Sequence, residues 1–109
     1  MPSVAIIGAS NDRRKYGNKA VRAFVQKGFT VYPINPREDS IEGLKAYKSV
    51  LDLPEVPDAA NFYVAPSVGI KVIEEVAAKG IKQVLLNPGA ESDDLIARAE
   101  ELGVTPVPG

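Results

Sequence analysis

"SVGIKVIEEVAAKGIKQVLLNPG", residues 67–89, decides the fold. Val72 and Ile73 recur one turn later as Val76 and Ala77, the spacing of a helix with one buried stripe. Gly80 stands where a left-handed cap ends such a helix. "QVLL" follows as an apolar run without polar alternation, the pattern of a strand in a parallel sheet covered on both faces. "NPG" then closes the unit with a turn.

The same plan occurs twice more, as "NKAVRAFVQKG" (18–28) before "FTVYPINP" and as "DDLIARAEELG" (93–103) before "VTPVPG". Ala20/Val21 pair with Phe24/Val25, and Leu95/Ile96 with Ala99, while Gly28 and Gly103 supply the stops. With "VAII" near the start and "NFYVA" in the middle, the strands alternate with helices. That alternation predicts right-handed crossovers and a doubly wound α/β domain, with helices on both faces of a mainly parallel five-stranded sheet. By analogy with half of a Rossmann fold, the expected strand order is 3-2-1-4-5. Pro33 removes a ladder donor from "TVYPI", so that strand has to tolerate a gap. Residues 37–58, polar and proline-bearing, are expected to hold a short helix or an irregular crossover. No second domain, linker or low-complexity tract is visible, so residues 1–109 read as a single domain.

Composition narrows the chemistry. A net charge of −1 argues against a nucleic-acid binder held by a large basic face. The chain has no cysteine and no histidine, which removes disulfides, thiolate metal sites, the thiol nucleophile and the commonest general base. "MPSVAIIG" has no basic region ahead of its short apolar run, so it reads as neither a signal peptide nor a membrane span. The expected setting is cytoplasmic, without a membrane.

Ligands of doubly wound sheets settle where strand carboxyl ends meet helix amino termini. The turn after the first strand, "GAS" (Gly8, Ala9, Ser10), keeps side chains small, so backbone amides can approach a phosphate closely and the Ser10 hydroxyl adds a donor. Arg13, Arg14 and Lys15 then arrive together ahead of the helix beginning near Gly17. Cations there oppose the helix dipole, at about 0.3–1 kcal/mol each when unscreened, unless an anion sits among them. The helix after "NPG" is the internal contrast, because Glu91, Asp93 and Asp94 open it with the favourable sign. A run of three cations is in many proteins only a solvated face. Beside the small-residue turn it reads as an anion site.

The dinucleotide fingerprint G-x-G-x-x-G is absent, since Ser10 and Arg13 occupy its second and third glycine positions. The acid that grips the ribose of NAD is also missing after strand two, where Asn35, Pro36 and Arg37 stand instead. An arginine there suits an extra phosphate on the adenosine ribose, as in NADP or coenzyme A. Val64, Ala65 and Pro66, ending strand three, offer a flat apolar wall for an adenine or a pantetheine arm. For each of these segments a plain turn or connection is the competing reading.

In "VAIIGAS", "VYPINP", "IEGLKAYKSVLDLPEVPD" with its Gly43, Tyr47 and Ser49 spacing, and "NFYVAPSVGIKVIEEVAAKGIKQVLLNPGAES", the chain resembles the small stand-alone members of the CoA-binding domain family. This Rossmann-like module also opens the succinyl-CoA synthetase α subunit and occurs in NDP-forming acyl-CoA synthetases. The resemblance implies phosphate contacts from Gly8, Ala9, Ser10 and the Arg13, Arg14 and Lys15 segment. It also implies nucleotide contacts from Asn35, Pro36 and Arg37, and an apolar wall from Val64, Ala65 and Pro66. Relatives usually run on past the last strand, so ending at "VTPVPG" implies a more open site. The expected function is non-catalytic binding of coenzyme A or a short acyl-CoA, because no nucleophile–base pair is visible and Ser10 has no evident partner. The expected partners are the small-molecule ligand and either a second copy of the chain or an acyl-transfer protein. The alternatives are a small NADP-linked reductase and a protein-interaction module that has lost its ligand.

Overall fold

The computed structural model describes residues 2–108; Met1 and Gly109, at the ends of the "MPSVAIIG" and "VTPVPG" segments, lie outside them. In chain order the elements are β1 (Ser3–Ile7), α1 (Tyr16–Gln26), β2 (Thr30–Ile34), β3 (Ser40–Ile41), β4 (Leu44–Lys45), a 3-10 turn at Val50–Asp52, β5 (Ala59–Phe62), α2 (Pro66–Lys79), β6 (Gln83–Leu86), α3 (Asp93–Glu101) and β7 (Thr105–Pro108). The five longer strands form one parallel sheet in the order β2-β1-β5-β6-β7. The architecture is the expected doubly wound α/β sheet.

Counting only those five strands, the order reads 2-1-3-4-5: the third strand lies beside the first, with Val4 opposite Ala59 and Ile7 opposite Phe62, rather than outside the second. The outer edge of β2 explains why. Tyr47 N–H donates to the Pro33 carbonyl at 2.9 Å, so that carbonyl faces outward. The proline nitrogen faces the same way, and the missing donor therefore falls on the free edge, where a sheet tolerates it. Instead of a full strand, that edge takes a single bridge from Tyr47 to Ile34. The reversal of direction at the carboxyl end of β1, which creates the ligand crevice, is retained.

The crossover from 37 to 58 is irregular, as expected, but carries a small β3–β4 hairpin rather than a helix. Glu42 and Gly43, both at positive φ (51° and 77°), make its two-residue turn. Beyond it, the 3-10 turn is capped by Ser49, whose Oγ accepts from Leu51 N–H.

Every residue of β1 is buried, and alternate side chains feed two cores. Val4 and Ile6 join Ala20, Val21, Val31 and Ile41 on the α1 side. Ala5 and Ile7 join Phe62, Ile73, Val76, Leu95 and Ala99 on the α2 and α3 side, where Val50 and Leu53 of the crossover also pack. Gly80 closes α2 at φ 94°, the left-handed cap read from the sequence. Among the described residues no helix is long and apolar enough to cross a membrane.

Candidate functional site

The turn after β1 is built on two glycines. Gly8 has φ +88°, and a Cβ there would lie 2.7 Å from the Tyr63 carbonyl oxygen, against the end of β5. Gly17, in the first turn of α1, has even less room: its Cβ would stand 2.2 Å from the Gly8 carbonyl oxygen. The amino end of α1 therefore rests directly on the Gly8 peptide. This is the close helix-to-strand approach that the third glycine of the dinucleotide fingerprint provides. Here a longer loop moves that role to Gly17, which is why Arg13 is tolerated at the usual position.

Two asparagines then orient the turn. Asn35 Nδ2 donates to the Ala9 carbonyl at 2.8 Å, and Asn18 Nδ2 donates to the Ser10 carbonyl at 2.9 Å. With these carbonyls engaged by the protein, the amides of Ala9, Ser10 and Asn11 have no protein acceptor among the described residues. Ser10 Oγ accepts from Asp12 N–H at 3.0 Å and keeps its own proton to donate. Asn18 is fully buried, also donates to Glu42 Oε2 and accepts from Arg22 Nε, so its polar atoms are all used. Replacing Asn18 with alanine strands the Ser10 carbonyl and opens a hole. The expected cost is about 1–3 kcal/mol, read as a lower urea midpoint with an unchanged m-value.

Helix electrostatics reinforce the turn. Lys15 caps α1 without a side-chain hydrogen bond, and no acid lies in that helix's first turn. Helix α2 likewise starts uncapped, at Ala65 with Pro66 in its first turn. By contrast, α3 has the Ser92 side chain on Leu95 N–H, with Asp93 and Asp94 beside it. The two uncapped amino termini, α1 and α2, flank the same cleft, and both favour negative charge there.

That cleft has a volume of about 600 Å³. Ile7 to Ser10 form its floor, Ile34 to Arg37 one rim, and Val64, Val68 and Val72 an apolar wall; Lys48, Val50 and Glu75 close the far end. Lys15, Arg37 and Lys48 line it, and among the described residues none of them is in an ion pair. Tyr63 lines it too. Burial pushes the Tyr63 phenol above the ordinary tyrosine pKa, while hydrogen bonds with Asn61 and Asn87 pull the other way.

Of the expected site residues, Gly8, Ala9, Ser10, Lys15, Asn35, Pro36, Arg37 and Val64 come together in this cleft. Arg13 and Arg14 do not line it. Arg13 Nε pairs with Glu42 at 3.4 Å, and Arg14 Nε with Asp12 at 3.0 Å, so local acids already answer those charges. The Arg14 guanidinium in turn holds the Asp12 carboxyl below its ordinary pKa. Ala65 lines an adjoining hollow of about 380 Å³ with Lys15, Tyr63 and the Asn87–Ala90 turn, while Pro66 lines neither. Residues not foreseen are Ile7 and Ile34, which end their strands there, and Lys48, Val50, Tyr63, Val68, Val72 and Glu75. Val68, Val72 and Glu75 follow each other at steps of four and three along α2, a second face that helical periodicity could have revealed. Among the described residues no cluster of ligating side chains is placed to hold a metal ion. The arrangement suits a ligand with several anionic groups at one end and an apolar, flat portion.

Comparison with known proteins supplies the family. The ADP-forming acetate–CoA ligase of Methanocaldococcus jannaschii is 43% identical over 84 residues, covering 77% of this chain and 12% of that protein. The α subunit of ADP-forming acetate–CoA ligase II of Pyrococcus furiosus is 38% identical, covering 76% of this chain and 18% of that subunit. The chain thus spans less than a fifth of either relative. Among solved structures, a conserved hypothetical protein from Pyrococcus furiosus superposes with a TM-score of 0.92 at 40% identity, over 100% of this chain and 94% of that one. The apo dinucleotide-forming acetyl-coenzyme A synthetase 1 of Ca. Korarchaeum cryptofilum gives a TM-score of 0.85 at 30% identity, over 96% of this chain and 25% of that one. The family model described as "CoA binding domain" matches residues 2–109, and the chain belongs to that family.

Proposed function

We propose that the protein binds coenzyme A, or a short acyl-CoA, in the cleft at the end of β1 and leaves acyl chemistry to a partner protein. The observation that carries this reading is the meeting of unengaged amides at Ala9 to Asn11 with three cations, Lys15, Arg37 and Lys48, that have no acid partner among the described residues. The pyrophosphate takes the Gly8–Ala9–Ser10 turn, the amino end of α1 and Lys15, with Arg13 and Arg14 adding to the local field. The ribose phosphate takes Arg37, beside the turn that Asn35 fixes by accepting from Arg37 N–H at 2.8 Å. The apolar parts lie along Val64 and towards Ala65, and Pro66 sets the start of α2.

A binding role, rather than turnover, is supported by the state of Ser10, the serine that lines the cleft. Its Oγ accepts from Asp12 N–H, and among the described residues no side-chain base is hydrogen-bonded to it. The ligase activities of the relatives belong to proteins more than five times the length of the matched segment.

Thermal melting tests the reading. CoA at about 100 times its dissociation constant is expected to stabilise by about 2.7 kcal/mol, roughly 10–20 °C in Tm. Dephospho-CoA, which lacks the group assigned to Arg37, is expected to bind about five- to tenfold more weakly by calorimetry. Equal affinities would remove Arg37 from the site. NADPH binding tighter than CoA, with oxidation in the presence of a carbonyl substrate, would favour the reductase alternative instead.

A further inference from the structure

The far end of the cleft holds a carboxylate, where the other charged residues of the lining are all cationic. Glu75 projects from α2 on the same face as Val68 and Val72, opposite Lys48 and Val50 of the crossover. Its Oε1 accepts from Ser49 Oγ at 2.5 Å, and Ser49 Oγ in turn accepts from Leu51 N–H at 3.1 Å. That chain of two bonds fixes the serine rotor and hence the carboxylate. One oxygen is occupied and Oε2 has no protein donor among the described residues. A carboxylate only accepts, so the ligand group meeting it has to be a hydrogen-bond donor; a phosphate there would be repelled. The surrounding valines favour a flat apolar body. A purine carrying an exocyclic amine satisfies both conditions.

We infer that Glu75 is a specificity-determining residue, accepting a hydrogen bond from the 6-amino group of adenine while Val68 and Val72 cover the ring. The inference rests on the CoA reading of the cleft and adds to it the choice of base. A purely structural role for Glu75, tying the 3-10 turn to α2 through Ser49, would lower affinity for every nucleotide alike. Base selection instead changes a ratio.

The experiment is calorimetric titration with adenosine 3′,5′-bisphosphate and with its 6-deaminated purine counterpart, which loses the amine without gaining an acceptor. The wild-type protein is expected to prefer the amino form by about tenfold or more, the range of a hydrogen bond to a charged group. Glu75→Ala is expected to bring the two affinities within about twofold. Glu75→Gln, which keeps an acceptor for Ser49 and guards against a folding defect, is expected to retain a reduced preference. An undiminished preference in folded Glu75→Ala, with CoA still bound, overturns the base assignment and leaves the CoA reading standing. Absence of binding by CoA and by both bisphosphates to the wild-type protein overturns the two together.

Discussion

Gly17→Ala is expected to lose about 2–3 kcal/mol of stability, roughly 10–20 °C in Tm, and more than tenfold in CoA affinity. The new methyl group would arrive 2.2 Å from the Gly8 carbonyl oxygen, which is backbone and has no rotamer to yield. Either α1 lifts off the sheet or the Gly8 peptide turns. Lifting α1 loosens Ala20 and Val21 from Val4 and Ile6 in the core they share. Turning the peptide redirects the amides that follow it. Stability and binding therefore fall together, a coupling that a remote core mutation of equal cost lacks. Gly28→Ala is the control: its Cβ meets nothing within 4 Å, so its effect is confined to backbone strain at φ +87° and leaves the cleft intact. Differential melting with and without CoA reads both quantities, and an unaltered ligand-induced shift in Gly17→Ala would remove the Gly8 turn from the account.

The second large effect concerns charge. A variant carrying Lys15→Ala, Arg37→Ala and Lys48→Ala is expected to lose roughly 100-fold in CoA affinity, at about 1 kcal/mol for each partly solvated cation lining a cleft that takes a polyanion. Its Tm without ligand should stay close to wild type, because none of the three is in an ion pair among the described residues. Wild-type affinity should fall with added salt, and the triple variant should show a flatter dependence. Arg13→Ala with Arg14→Ala provides the comparison. Those guanidinium groups face Glu42 and Asp12, so their loss is expected to change affinity by less than about threefold. An equal loss in the two variants would show that the phosphates sit over the loop and not within the cleft.

How much of this was legible in the sequence follows from where each residue sits. The three helix–glycine–strand units were readable because each carries its own period and its own stop, and local signals suffice for local elements. The neighbour of β1 was not, since it depends on which edge of β2 can take another strand. Pro33 held the answer, but only the outward direction of its carbonyl turns a missing donor into a blocked edge. Gly8, Ala9 and Ser10 could be placed at the cleft from the sequence because small residues after a buried strand have few other uses. Lys15 and Arg37, singled out by their sign, line the same cleft. The grouping of Arg13 and Arg14 with Lys15 treated three adjacent cations as equivalent. Adjacent residues in a loop point in different directions, and Glu42, which answers Arg13, lies 29 positions away. Lys48, Val50 and Glu75 escaped because they meet the cleft only through the path of the irregular crossover, which no periodicity encodes.

The central claim is that anionic groups of CoA are held by amides at the end of β1. Titration of the isotopically labelled protein with CoA, followed by backbone amide resonances, tests it most directly. The largest shifts are expected at Ala9, Ser10 and Asn11 and at the amino end of α1 around Tyr16 and Gly17, with α3 and β7 unmoved. Saturation with CoA that leaves those amides in place while resonances elsewhere shift would contradict the account.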